Sequence, residues 1–322
     1  MSYHPNKLDK NLSMEIGIVD IGTYIPDTLI SNLDRLEEFE VTEDFINKKL
    51  GVTAVSKKSS QEDTADLAYC AWQDVAHSID KDKIDCLVVC TQNPHANGIP
   101  HTSAVLHGMI GLSDHCACFD ISLGCSGYVY GLSVVKAFMQ ANGMQCGMLV
   151  TADPYSKTID PADRNTAMLF GDAATVTILG RQSKLVPYQF TFGTAGSGGE
   201  ALNNNNGSLV MNGRAVFGFC SSRVPVQVTQ LLQDAGLETN DIDLFLFHQG
   251  SRFIVEKLAQ KLGIPSSKVP INLSEQGNTV SSSIPLLLKK YLHDYSQKTL
   301  LLSGFGVGLS WASCLATRKR EI

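Results

Sequence analysis

A cysteine at the tip of a glycine-flanked turn is the first place in this chain where chemistry could be done. Cys125 lies in the run Phe119-Asp120-Ile121-Ser122-Leu123-Gly124-Cys125-Ser126-Gly127. The apolar segment from Cys116 to Ile121 precedes it, and Leu132, Val135, Phe138 and Met139 recur at helical spacing after it. Gly124 and Gly127 permit a sharp bend that lifts the thiol off a sheet edge onto the start of a helix. Unpaired N–H groups there favour thiolate over thiol, as a nucleophile needs. A thiol packed in a core shows the same apolar surroundings, so this stretch alone leaves both readings open.

Three more stretches set polar groups directly after apolar runs, where open α/β sheets bind ligands. They are Phe247-His248-Gln249-Gly250, Glu275-Gln276-Gly277-Asn278-Thr279 and Ser303-Gly304-Phe305-Gly306-Val307-Gly308. Singly, His248 reads as a structural hydrogen bonder, Asn278 as a helix cap and the glycine run as a hairpin turn. Together with Cys125 they supply a nucleophile, an imidazole, a carboxamide and free backbone donors, the groups that thioester chemistry uses. Spacing does not itself bring them together.

The elements that must position these groups follow from periodicity. Met14 to Tyr24 reads as a first strand, Glu62 to Ile79 as an amphipathic helix, and Ile84 to Cys90 as a strand buried on both faces. The helix–strand unit returns later, with Val224 to Gly236 leading into Asp241 to Phe247; Gln233-Asp234 stands where the first copy has Gln73-Asp74. Two halves of one topology follow. Further strands are expected over Gly147–Ala152, Ala174–Leu179, Thr299–Ser303 and Leu309–Ala316, and further helices over Thr102–Ile110, Tyr128–Asn142, Arg252–Leu262 and Ser282–His293. This alternation predicts an α/β architecture. The stretch Gly193 to Gly207, rich in glycine and asparagine, is expected to be an exposed loop joining the halves.

Composition narrows the function. The 322 residues are 43% hydrophobic and 18% charged, enough apolar content for a large core. A net charge of -6 argues against nucleic-acid binding, which needs a concentrated basic field. Nine scattered cysteines without a Cys-x-x-Cys pair read as reduced thiols; Cys116 and Cys118 lack a second pair, so no metal site is expected. Residues 1–13 form a polar leader, and no run approaches the roughly 20 apolar residues of a membrane span. A cytoplasmic protein without membrane insertion is expected.

With these residues in place, the chain from Met14 onward resembles the β-ketoacyl-acyl-carrier-protein synthase III family of the thiolase-like superfamily. The likeness rests on the Cys125 elbow, His248-Gln249-Gly250-Ser251, Gly277-Asn278-Thr279 and Gly304-Phe305-Gly306. Asp163-Arg164-Asn165-Thr166 and Phe170-Gly171-Asp172-Ala173-Ala174 add to it. The resemblance implies a five-layered αβαβα fold from two duplicated halves, 14–185 carrying the cysteine and 186–322 carrying the histidine and asparagine, assembled as a homodimer. It implies that Cys125 takes an acyl group from acyl-CoA and passes it to malonyl-acyl-carrier protein with loss of carbon dioxide, in fatty-acid or related lipid or natural-product synthesis. His248 and Asn278 would hold the malonyl thioester oxygen, and the N–H groups of Cys125 and Gly306 would form the oxyanion hole. No cofactor is implied, since acyl-CoA and malonyl-carrier protein are substrates.

Departures from the family pattern carry expectations of their own. Phe45, Lys49 and Arg164 stand where the family holds the CoA nucleotide, but Phe45 replaces a tryptophan, and Lys49 replaces an arginine and loses its bidentate fork. Phe170 and, from the partner subunit, Ile99 match acyl-pocket positions in the family; an aliphatic residue at 99 leaves room for a chain longer than acetyl. Arg252 and Lys257 are candidates for docking the acidic carrier protein. The same fold also fits an acyltransferase that passes its acyl group to an oxygen or nitrogen acceptor without decarboxylation.

Overall fold

The computed structural model describes residues 15–319, so the expected leader, 1–13, lies outside the described residues. In chain order the elements are β1 (Gly17–Tyr24), β2 (Leu29–Ser31), a π-helical turn (Phe45–Leu50), β3 (Ala54–Ser56), α1 (Thr64–Val75), β4 (Cys86–Cys90), α2 (Thr102–Ile110) and β5 (Ala117–Ile121). There follow α3 (Gly127–Ala141), β6 (Cys146–Ala152), α4 (Arg164–Ala167), β7 (Ala174–Gly180), β8 (Leu185–Thr194), β9 (Leu202–Asn205), β10 (Ser208–Met211) and α5 (Gly213–Ala235). The chain closes with β11 (Leu244–Phe247), α6 (Arg252–Leu262), α7 (Ser283–Lys289), β12 (Thr299–Gly306) and β13 (Ser310–Arg318).

Nine strands form one sheet in the order β11-β12-β13-β8-β1-β7-β6-β4-β5. The duplication expected from the helix–strand repeat is visible in this order. In the first half β4 and β6 are parallel, β6 and β7 antiparallel, and β7 and β1 antiparallel. In the second, β11 and β12 are parallel, β12 and β13 antiparallel, and β13 and β8 antiparallel. Thus β4 answers to β11, the two strands that the sequence repeat paired. The halves meet where Ile18 of β1 pairs with Leu185 of β8.

Five layers follow from which side chains face which way. Along β4 the pleat turns Leu87 and Val89 to one face and Val88 to the other. The first two pack under α1 and α2 through Leu67, Ala71, Trp72 and Leu106. Val88 packs against Leu132 and Val135 of α3, in a cluster that also holds Leu287 and Leu288 of α7 with Leu246, Leu300 and Leu302 of the second half. Helices α3 and α7 are therefore the middle layer, touched by both halves of the sheet. Beyond the second half lie α5 and α6, which cover Phe245, Phe247 and Leu301 with Val224, Val228 and Leu258.

Three expectations are corrected. Gly193–Gly207 does not join the halves: β8 precedes it, and the stretch runs through the end of β8 and a 3-10 turn into the β9–β10 hairpin. Its polarity marks one exposed side only, for Ala201 and Leu202 are buried. Helix α5 begins at Gly213, eleven residues before the expected Val224, with Pro225 inside it. That proline and the poor helix formers before it hid the first half; packing of Val216, Phe219 and Cys220 into the core outweighs propensity. Helix α7 ends at Lys289, short of the expected His293.

Candidate active site

The cysteine, the histidine and the asparagine arrive at one cavity of about 540 Å³, lined by Cys125, His248, Asn278, Gly306, Phe170 and Phe305 at its inner end. Cys125 is placed by the start of a middle-layer helix, His248 by the end of a strand, and Asn278 by an isolated bridge to Phe170. Cys125 sits two residues before α3, closed into a turn by the bond from the Gly127 N–H to the Gly124 carbonyl at 2.7 Å. Neither glycine has a left-handed backbone. What they provide is space: a Cβ on Gly124 would press on Val307 and Gln92, and one on Gly127 would run into Cys90.

The thiol is 3% exposed, and the backbone N–H groups of Val307 and of Cys125 itself point at the sulfur. Burial nevertheless pushes the thiol up to about 12, which favours a protonated sulfur over the expected thiolate. Gly306, expected as the second donor, serves the sulfur differently. A Cβ there would lie 2.7 Å from Sγ, so its bare Cα makes room while the next residue, Val307, presents the N–H. Behind the elbow, buried Asp153 accepts from the N–H groups of Gln92 and Asn93, both at 3.1 Å, and from Asn93 Nδ2 at 2.8 Å. Its second oxygen has no partner, and burial raises this carboxyl to about 7.

His248 follows β11 and is 2% exposed. Its Nδ1 lies 2.7 Å from Ser283 Oγ at the first turn of α7, and its ring meets Phe305 edge-on with centroids 5.5 Å apart. Burial lowers its pKa to about 3, against the Val280 backbone, so the ring is neutral and has one N–H to donate. Asn278 is stitched to the segment before β7: its N–H donates to the Leu169 carbonyl at 2.8 Å, and its carbonyl accepts from the Gly171 N–H at 3.0 Å. Its side-chain oxygen accepts from the Val280 N–H at 2.9 Å, which leaves the amide hydrogens for the cavity. A buried neutral imidazole and a fixed amide can donate to a negative charge developing in this cavity with little reorganisation.

Toward the surface the same cavity is lined by Phe45, Lys49, Arg164 and Phe217. The remaining expected site residues stand apart. Ile99 is 88% exposed and does not line its own chain's cavity. Arg252 pairs with Glu256 at 3.5 Å and packs its stem against Gly51, beneath the turn that bears Phe45, with Nε buried and unpartnered. Lys257 lies on the exposed side of α6, bonded to Gln260 at 2.8 Å. Among the described residues no cluster of three or more His, Cys, Asp or Glu is placed to hold a metal, and no helix is long and apolar enough to cross a membrane.

Sequence reasoning missed Val307, Ser283 and Cys220, a second thiol on the cavity wall. A backbone donor leaves no residue-type signal. The run Ser281-Ser282-Ser283 opening an otherwise apolar helix was the available cue for Ser283.

Comparison with known proteins bears on most of the chain. Family models described as 3-oxoacyl-[acyl-carrier-protein] synthase III and its C terminal match residues 119–196 and 232–318. The β-ketoacyl-[acyl-carrier-protein] synthase III of Streptococcus sanguinis is 32% identical, covering 93% of this chain and 98% of that protein. The corresponding protein of Deinococcus deserti is 33% identical, covering 93% of this chain and 90% of its own length. The crystal structure of a 3-oxoacyl-(acyl-carrier-protein) synthase from Burkholderia xenovorans superposes with a TM-score of 0.86 at 32% identity, over 94% of each chain.

Proposed function

Since the chain belongs to the β-ketoacyl-[acyl-carrier-protein] synthase III family, and so to the acyl-transferring condensing enzymes, we propose that its cavity joins an acyl group from acyl-CoA to malonyl-carrier protein. The observation that carries this reading is the shared cavity: one thiol, one neutral imidazole and one amide donor converge on it. In the first half-reaction the Cys125 sulfur attacks the acyl-CoA carbonyl, CoA leaves as its thiol with the proton that Cys125 gives up, and acyl-Cys125 remains. The N–H groups of Cys125 and Val307 stabilise the tetrahedral oxyanion.

In the second, malonyl-carrier protein loses carbon dioxide and the electron pair passes into a thioester enolate. His248 and Asn278 donate to that enolate oxygen. The enolate carbon attacks acyl-Cys125, the carbon–sulfur bond breaks, and the sulfur takes up one proton. The product is a 3-oxoacyl-carrier protein, serving fatty-acid or related lipid synthesis. No cofactor enters the scheme.

A homodimer is part of this reading. Ile99 at 88% exposure and β5 as an unpaired sheet edge are surfaces that a second copy would cover. Size-exclusion chromatography with light scattering reads this directly. Nine free cysteines fit a reducing, cytoplasmic compartment. The deciding experiment offers the acyl-enzyme malonyl-carrier protein: carbon dioxide release with a 3-oxoacyl product supports condensation, and acyl transfer to an alcohol or amine without it would replace this reading.

A further inference from the structure

The loop between β4 and α2 is held along its length by three carboxylates from three different places in the fold. Asp153, just after β6, accepts from the N–H groups of Gln92 and Asn93, both at 3.1 Å. Asp63, the cap of α1, accepts from the Ala96 N–H at 2.9 Å. Asp120, within β5, accepts from the Thr102 and Ser103 N–H groups at 2.7 and 2.9 Å. Lys157 adds a tie, its Nζ 2.5 Å from Asp63 Oδ1 and 2.7 Å from the Pro94 carbonyl. Burial works against the charge on Asp63, yet Lys157 and the Ala96 and Thr64 N–H groups hold its carboxyl down at about 2, so this anchor stays ionised.

Between the anchors the backbone turns through φ values of 45° at Ala96, 61° at Asn97 and 89° at Gly98. The Cβ of an alanine disfavours that left-handed turn, so the conformation persists because its surroundings impose it. At the tip stands Ile99, 88% exposed and absent from its own chain's cavity. So much fixation, ending in a bare apolar side chain, serves a surface outside the chain. Asp120 roots the loop in β5, the unpaired sheet edge, and the tip therefore stands beside the edge on which a second copy docks in the homodimer reading.

We propose that Asp63 is a positioning residue for acyl-chain selection: through Ala96 it fixes where Ile99 stands against the acyl group held in a second copy. This inference rests on the condensing reading and on the homodimer that belongs to it. Ile99 is then a stop set from a distance, and a stop locked by hydrogen bonds excludes chains that a yielding one admits.

The test follows acylation of Cys125 by mass with acetyl-CoA and octanoyl-CoA, and the ratio of their kcat/KM values is the readout. Asn caps a helix as well as Asp does, but its one oxygen cannot serve both α1 and Ala96, and it offers Lys157 no charge. Asp63→Asn is therefore expected to move the ratio toward octanoyl roughly threefold, and Ile99→Gly, which takes the stop away, by about tenfold or more, the worth of a methylene of pocket space. Lys157→Met, which leaves the α1 cap whole, should shift the ratio in the same direction. In an Ile99→Gly background Asp63→Asn should add nothing, whereas a merely structural loss would act there as well. An unchanged ratio in any one of the three single variants, or an equal shift from Asp63→Asn with and without Ile99, would overturn the inference. So would a wild-type chain that is monomeric by light scattering. A wild-type Cys125 acylated by neither donor would overturn the condensing reading, and this inference with it.

Discussion

Gly306 stands so close to Cys125 that a single added methyl group would lie 2.7 Å from the thiol sulfur and 2.8 Å from its Cβ. Gly306→Ala must therefore displace the nucleophile or the strand end that carries Val307. Overpacking of this kind costs about 1–3 kcal/mol. We expect a lower melting temperature by calorimetry and a loss of acyl-Cys125 in intact mass spectra, whereas Gly108→Ala, inside helix α2 with nothing within 4 Å, should lower neither.

His248 and Asn278 act, in the proposed scheme, on the malonyl half-reaction. Removing one preorganised donor costs about 2.7–4 kcal/mol, roughly 10²–10³ in rate. His248→Ala and Asn278→Ala are each expected to reduce carbon dioxide release from malonyl-carrier protein by that factor. Acylation of Cys125, followed by mass, should fall far less in both. Equal losses in the two assays would reassign these residues to the acylation step.

Two buried groups titrate in opposite senses. His248 is neutral in the fold down to about pH 3, while an unfolded histidine protonates near 6.5; between those values the unfolded chain binds the extra proton, and stability falls as pH falls. Asp153, raised to about 7, keeps its proton in the fold where an unfolded aspartate has lost it, so from about pH 4 to 7 its effect has the reverse sign. Each is worth at most about 1.4 kcal/mol per pH unit. Relative to wild type, His248→Gln should gain stability in urea as pH is lowered from 7 toward 4, and Asp153→Asn should lose it.

Alkylation reports the resting thiol. With Cys125 pushed up to about 12, its reaction with iodoacetamide should be slow at neutral pH and rise about tenfold per pH unit through pH 9, without the plateau of a low-pKa thiolate. A plateau already reached at pH 7 would show that the N–H groups at the sulfur outweigh burial.

Much of this fold was readable because the strongest patterns are local. The unbroken apolar run of β4 and the helical periodicity of α2 and α6 needed no knowledge of their neighbours, and both helices have the bounds that their sequences suggest. Helix α5 was half hidden because its first turns are held by contacts with β-strands far away in sequence, against their own propensity. At the site, Cys125, His248 and Asn278 were legible as candidates by residue type, and the fold brings all three to one cavity. Val307 was not, because what it offers is an amide that every residue but proline possesses. The true use of Gly124 and Gly306 was equally hidden, since vacancy beside a sulfur is a property of the assembled molecule.

The repeated strand order divides the reactive groups unevenly along the chain: the thiol comes from the first repeat, and the imidazole, the amide and the Val307 N–H from the second. A ribosome that has emitted only the first repeat has therefore exposed a nucleophile with nothing but its own backbone N–H to steady the charge it would create. In the proposed scheme competence waits for β12 and the Val307 N–H that follows it, so a chain cut short before them lacks half of its oxyanion hole.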